Sequence, residues 1–374
     1  MNRQQDKVIF YAKKMLLDEL LSASIYRNLA SMYKRKSVIE KLLRMADMET
    51  RHAKFWASFL IKRGVDVSGI KITRLEVLLR TMFYRLIGIG LILKLLELGE
   101  REAIKIYASL IEDKELSIDE KRELRSILED ELLHEDELIE EESVFKDFLE
   151  HVRDAVLGMS DGLVEILSVA AGLAGAYNNP LNVALGGTIV GIAGALSMGI
   201  GSYTSVRAQR QVRVGILESI KLASRYVAHL LRRKIEEYMK NKGFSNEVSR
   251  KIADEASSNK DLLAKIVAEE KYGLKEEKLE DPRKAGLYTG VFYIIGAIVP
   301  LTPYYVGLPI IISLPLSFLI ASIMLMIVGF VIAVLAGLSI KKKMLELVIA
   351  GLGSAALTYI IGRLASLLLG IEVE

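Results

Sequence analysis

The stretches "METRHAKFW" (48–56) and "DELLHEDEL" (130–138) decide how this chain is read. Each carries Glu-x-x-His: Glu49 with His52, and Glu131 with His134. The chain has 374 residues and only four histidines, so two such pairs are a pattern rather than background. In a helix, residues i and i+3 share a face, so each pair presents one carboxylate and one imidazole to one point. Moving outward, Glu19 precedes Tyr26 by seven residues and Glu100 precedes Tyr107 by seven. Glu19 lies 30 residues before Glu49, and Glu100 lies 31 before Glu131. The first part of the chain reads as two copies of one helix hairpin, each E-x6-Y followed by E-x-x-H.

Apolar spacing at three and four residues predicts four helices, near 4–34, 37–63, 73–112 and 117–149. Ser117 followed by Glu120 is a capping-box pattern at the start of the fourth. Four amphipathic helices of this length predict a bundle over 1–149. The run "LIGIGLILKLLELGE" (86–100) is uninterrupted for too few residues to span a bilayer, and reads as core helix with a membrane-touching patch.

One carboxylate from each of two helices, with Glu-x-x-His from each of the other two, is the di-metal carboxylate arrangement. Oxygen-rich ligands with two imidazoles suit iron or manganese better than a structural zinc. The alternative is a bundle whose inner Glu and His side chains pair with Lys and Arg.

Composition narrows the classes. Hydrophobic residues make up 51% and charged residues 26%, and the two are segregated: charge fills the first 150 residues, and long Gly, Ala, Leu, Ile and Val runs fill much of the rest. A soluble half joined to a membrane half explains that split. With no cysteine, disulfides, thiolate metal sites and iron–sulfur clusters are excluded. A net charge of +3 without a basic, aromatic-interleaved face gives no reason to expect nucleic acid as a partner. The N-terminus has no signal-peptide core, so the bundle is expected to stay in the cytosol.

The bundle motifs resemble the rubrerythrin branch of the ferritin-like family over about residues 5–145. That resemblance implies that Glu19, Glu49, His52, Glu100, Glu131 and His134 hold a di-iron site, with Mn or Zn as substitutes. It also implies that Tyr26 and Tyr107 support the carboxylates, and that Trp56 in "RHAKFW" is core. Members often carry one more glutamate on the third helix. Glu97, one turn before Glu100, is the candidate here, although the extra residue usually follows the repeat-matched one, where this chain has Ala103.

The remaining chain, 150–374, has five apolar segments long enough to cross a membrane: about 153–177, 182–206, 285–306, 309–337 and 344–370. A charged, helical insert (207–284) separates the second from the third. The insert is rich in Lys and Arg, and "KKK" (341–343) lies between spans four and five, while "NNPLN" and "PYYVGLP" carry no charge. Positive residues favour the cytosolic side, so N-terminus, insert and lysine cluster are expected inside and the C-terminus outside. Asp161 and Glu165 lie four apart on one face of the first span, where an acid is costly and faces a protein interior or a water path. Met198 in the second span is either core or a soft ligand for a ferrous-like ion. Glu236, Glu237, Glu269 and Glu270 are candidate metal ligands in the insert, weighed against solvated helix faces. His151 and His229 have no partner pattern, and Arg363, late in the last span, can snorkel outward.

"DGLVEILSVAAGLAGA" (161–176), "ALSMGIGSYTSV" (195–206) and "DPRKAGLYTGVFYIIGAIVPLTPY" (281–304) resemble the vacuolar iron transporter family. The family implies a homodimer that exports Fe(II), and sometimes Mn(II), from the cytosol in exchange for protons. Asp161 and Met198 match its in-membrane transport residues. Two departures stand out. Ser202 sits where the second signature usually has Glu, and Glu165 where a small or neutral residue is common, so Glu165 is expected to restore the lost carboxylate. The insert is also poor in acids, with Glu218 alone over 207–235. Together the halves resemble the membrane-bound ferritin group of bacteria and archaea. The competing expectation is a membrane-tethered di-iron ferroxidase or peroxidase whose spans serve as anchor and dimerisation device.

Overall fold

A computed structural model describes residues 3–32, 36–87, 89–113, 115–144, 146–274 and 280–369. Among these residues the chain is all-α, with thirteen helices and no strand. It divides into two compact units: Met1–Leu149 with Gly329–Met344, and Glu150–Val328 with Leu345–Glu374.

The first unit is the ferritin-like bundle of α1 (Arg3–Met32), α2 (Lys36–Ile61), α3 (Arg74–Ile87), α4 (Ile89–Ile111) and α5 (Ile118–Val144). α3 and α4 cover the expected third helix on either side of position 88, which lies outside the described residues. Ser117 and Glu120 make the reciprocal cap at the start of α5. Glu120 Oε2 accepts from Ser117 N at 2.9 Å, and Ser117 Oγ accepts from Glu120 N at 3.2 Å. Arg63 donates to Glu120 Oε1 at 2.6 Å and so ties the end of α2 to this cap. Two apolar clusters fill the bundle. One is centred on Trp56, Phe59 and Leu124, and the other on Ile25, Leu29 and Ile92. Trp56 is fully buried and stacks on Tyr107, with ring centroids 5.8 Å apart. Leu91, Ile92 and Leu96 are buried in the bundle, as a core helix requires.

Helices long and apolar enough to cross a membrane make up most of the second unit, the last two of them giving Gly329–Met344 to the first. Five such helices occur among the described residues: α6 (Lys146–Ala176), α7 (Pro180–Tyr226), α11 (Pro282–Tyr305), α12 (Ile310–Ala336) and α13 (Ile340–Leu369). Asn179 and Asp281 cap α7 and α11 through their side chains, each followed by a proline that needs no N–H partner. Along α7, Leu181, Leu185, Ile189, Ile192, Leu196 and Ile200 form an exposed apolar stripe. That stripe is stable only against lipid or a partner chain. Close helix contact depends on small residues: a Cβ on Gly162 would collide with the Tyr293 carbonyl of α11. The far end of α7 packs with α8 (Ala228–Asn241), α9 (Asn246–Ser258) and α10 (Lys260–Tyr272) around Leu231, Ile235, Leu263 and Val267.

Candidate metal centre and membrane acids

Helix periodicity turns Glu19 of α1, Glu49 and His52 of α2, and Glu131 of α5 toward the bundle axis. All four are at most 4% exposed. One ligand atom from each lies within 4.8 Å of the others. His52 Nδ1 is 3.1 Å from Glu131 Oε1 and 3.6 Å from Glu19 Oε2. Glu100 of α4 is also buried, and close enough to add to the repulsion on Glu49. Glu97 and His134 lie on α4 and α5, but their side chains fall outside the described residues.

The two tyrosines cross between repeats. Tyr26 of the first hairpin donates to Glu100 Oε1 of the second at 3.0 Å, while Tyr107 of the second donates to Glu19 of the first. Each hydroxyl spends its one proton on a carboxylate, and burial together with that carboxylate pushes both phenols well above their ordinary range. Both therefore stay neutral donors.

The electrostatics are those of a cation site. Burial, then the neighbouring Glu19, pushes Glu49 well above the ordinary carboxylate range. Burial also works against ionised Glu19, yet hydrogen bonds from Glu49 and His52 outweigh it and hold Glu19 low. Burial alone would lower His52, but its bonds to Glu131 and Glu19 raise it to about 10. Four buried acids beside one imidazole are stable only with protons or a multivalent cation among them. Carboxylate oxygens with an imidazole nitrogen fit iron. The cluster is therefore a candidate iron-binding site.

One participant carries no motif of its own. Asp130 Oδ2 lies 3.2 Å from His52 Nε2, on the opposite edge of the ring from Glu131. Its only sequence signal is adjacency to Glu131. A carboxylate on the outer nitrogen orients a ligating imidazole and keeps its inner nitrogen aimed at the ion.

In the membrane unit, Asp161 and Glu165 share one face of α6. Tyr293 of α11 donates to Glu165 Oε2 at 2.6 Å. Gly194 of α7 makes room for that ring, because a Cβ there would strike the Tyr293 hydroxyl. Met198 packs at the edge of the cluster formed by Ile166, Ala195 and Tyr293. Ser202 Oγ sits 3.2 Å from Thr289 Oγ1. The sequence reading missed Tyr293; a hydroxyl within an apolar span was the available signal.

Two of the four insert acids pair with cations of the same unit. Glu236 pairs with Lys240 at 2.8 Å and Arg232 at 3.6 Å, and Glu270 pairs with Lys242. Glu237 is exposed and Glu269 half-buried. Among the described residues the bundle cluster is the one group of three or more His or acid side chains placed to hold an ion.

The model of the VIT family matches residues 152–363. This chain belongs to the VIT family. The Rubrerythrin model matches residues 16–142, so the family domain here follows a rubrerythrin domain. Vacuolar iron transporter 1 of Oryza sativa subsp. japonica is 31% identical over 163 residues, 41% of this chain and 62% of that protein. Protein CCC1 of Saccharomyces cerevisiae is 26% identical over 214 residues, 55% of this chain and 66% of its own length. Vacuolar iron transporter cccA of Arthroderma benhamiae is 28% identical over 228 residues, 58% of this chain and 76% of its own length. The chain thus spans less than two thirds of the length of the rice and yeast relatives. VIT family membership and five apolar helices make it an integral membrane protein.

Proposed function

We propose that this protein exports Fe(II) from the cytosol by proton antiport, and that its rubrerythrin domain collects that iron at a cytosolic di-iron site. The observation that carries this reading is the acid pair Asp161 and Glu165 inside an apolar helix, with Glu165 held by the Tyr293 hydroxyl at 2.6 Å. An anchor has no use for paired acids within an apolar span. The names of the relatives, vacuolar iron transporters, support iron as the cargo.

Asp161 and Met198 bind a partly dehydrated Fe(II): the carboxylate neutralises charge, and the thioether is soft enough to release the ion. A proton and a divalent cation compete for the same carboxylate, which couples one to the other. Glu165, fixed by Tyr293, supplies the second carboxylate that Ser202 does not. Mn(II) favours the same ligands and is the competing cargo. A homodimer covers the exposed apolar faces, and the basic insert holds the bundle on the cytosolic side.

In the bundle, Glu19, Glu49, His52, Glu100 and Glu131, with His134, would hold two iron ions. Iron there supplies one-electron redox chemistry. Tyr26 and Tyr107 hold the Glu100 and Glu19 carboxylates, Asp130 orients His52, and the apolar clusters on either side exclude bulk water.

The test is Fe(II) flux in sealed proteoliposomes under an imposed proton gradient, with wild type beside Asp161→Ala. Gradient-dependent flux lost in the variant is expected. No flux from folded, iron-loaded wild type would overturn the transport reading and leave a membrane-tethered di-iron oxidase.

A further inference from the structure

We infer that the membrane unit binds the headgroup of an anionic phospholipid in a basic groove where α7 leaves the apolar layer beside the start of α11. The groove has a volume of about 820 Å³, and its walls include Arg207, Arg210 and Gln211 of α7 and Arg283 of α11. Tyr203 lies at its base and accepts from Arg207 Nη1 at 3.1 Å.

Position along the helices identifies the occupant. The exposed apolar stripe of α7 ends at Ile200 and that of α11 starts at Leu287. At 1.5 Å per residue, Arg207 lies roughly 10 Å beyond the first and Arg283 roughly 6 Å before the second. Arg283 thus lies within the polar layer, roughly 5–8 Å thick on each side of a bilayer, and Arg207 reaches back toward that layer through its bond to Tyr203, one turn nearer the apolar stripe.

Charge points the same way. Among the described residues, Arg207, Arg210 and Arg283 have no carboxylate within ion-pair distance, whereas Arg153 and Arg232 of the same unit are paired. Three arginines against two acids leave the groove net positive. Asp281 is committed to capping α11, accepting from Arg283 N at 2.9 Å. Glu218 is eleven residues along α7 from Arg207, roughly 16 Å away at the far end. Guanidinium groups bind phosphate oxygens in a planar, two-pronged geometry, and the groove has room for a glycerophosphate. A lipid phosphate and a free phosphate share that chemistry; the adjoining apolar stripes favour the lipid.

The test uses the full-length protein in detergent, with retained phosphatidylglycerol and phosphatidylcholine counted by native mass spectrometry during titration. Wild type is compared with R210Q/R283Q and with R233Q/K260Q, a charge-matched control elsewhere on the insert. Preference for phosphatidylglycerol is expected in wild type and control, with affinity about tenfold weaker in R210Q/R283Q. Equal binding by all three folded proteins, or no preference for the anionic lipid, would overturn the inference. So would inorganic phosphate displacing no lipid while itself binding the arginines, since the site would then serve a soluble anion. If R210Q/R283Q fails to fold, the single R210Q and R283Q variants carry the same comparison.

Discussion

Asp130 and Glu131, adjacent on α5, reach opposite edges of the same imidazole: Glu131 Oε1 is 3.1 Å from His52 Nδ1, and Asp130 Oδ2 is 3.2 Å from His52 Nε2. One helix thereby supplies both a carboxylate of the candidate site and the group that orients the imidazole beside it. Asp130→Asn should weaken metal binding about tenfold to a hundredfold while leaving the helical content unchanged. A Co(II) or anaerobic Fe(II) titration of the full-length protein measures it, and equal affinity would remove Asp130 from the site.

Metal loading should release protons at neutral pH. His52, raised to about 10, carries a proton on the nitrogen that faces the acids. Glu49, pushed upward by burial and Glu19, shares another. An incoming cation must displace both, so apparent affinity climbs with pH and falls on acidification. Calorimetric titration in buffers of different ionisation enthalpy counts the protons; a count of zero would contradict the geometry.

The crossed tyrosines make paired predictions. Tyr107→Phe removes the donor to Glu19, and Tyr26→Phe removes the donor to Glu100. A hydrogen bond to a charged group is worth about 1.5–3 kcal/mol, so each variant should alter metal affinity about tenfold or more. Because each tyrosine serves the other repeat's glutamate, Tyr26→Phe combined with Glu100→Gln should cost little more than Glu100→Gln alone. Strict additivity of the pair would argue against the contact.

In the membrane, Glu165→Gln should reduce Fe(II) transport nearly as much as Asp161→Asn. Tyr293→Phe should fall between wild type and Glu165→Gln, since it frees the carboxylate without removing it. Unchanged flux in Glu165→Gln would leave Ser202 uncompensated and Asp161 acting alone.

Glu120 sets an acid dependence in the bundle. Its hydrogen bond from Arg63, aided by Ser117, holds it down at about 2. A depressed carboxylate stabilises the fold above its ordinary value, and that contribution disappears as pH falls toward 2. Glu120→Gln should destabilise by about 1 kcal/mol at neutral pH through the lost cap and ion pair. Urea unfolding of wild type and variant should converge at low pH; a constant gap would assign the effect to packing.

The all-α class, the five membrane helices and the two family resemblances were legible in the sequence, because each rests on spacing within a single helix. Glu49 with His52, Asp161 with Glu165 and Ser117 with Glu120 are three or four residues apart, and helix geometry alone joins them. Only the tertiary structure could pair Tyr26 with Glu100, Tyr107 with Glu19, Asp130 with His52 and Tyr293 with Glu165, at separations of 74, 88, 78 and 128 positions. The same holds for the arginine groove and for Glu236 and Glu270, whose partners are lysines and arginines. Periodicity says which face of a helix is buried; which residue of another helix meets that face depends on how the helices rotate and slide as they pack, and no local spacing encodes that.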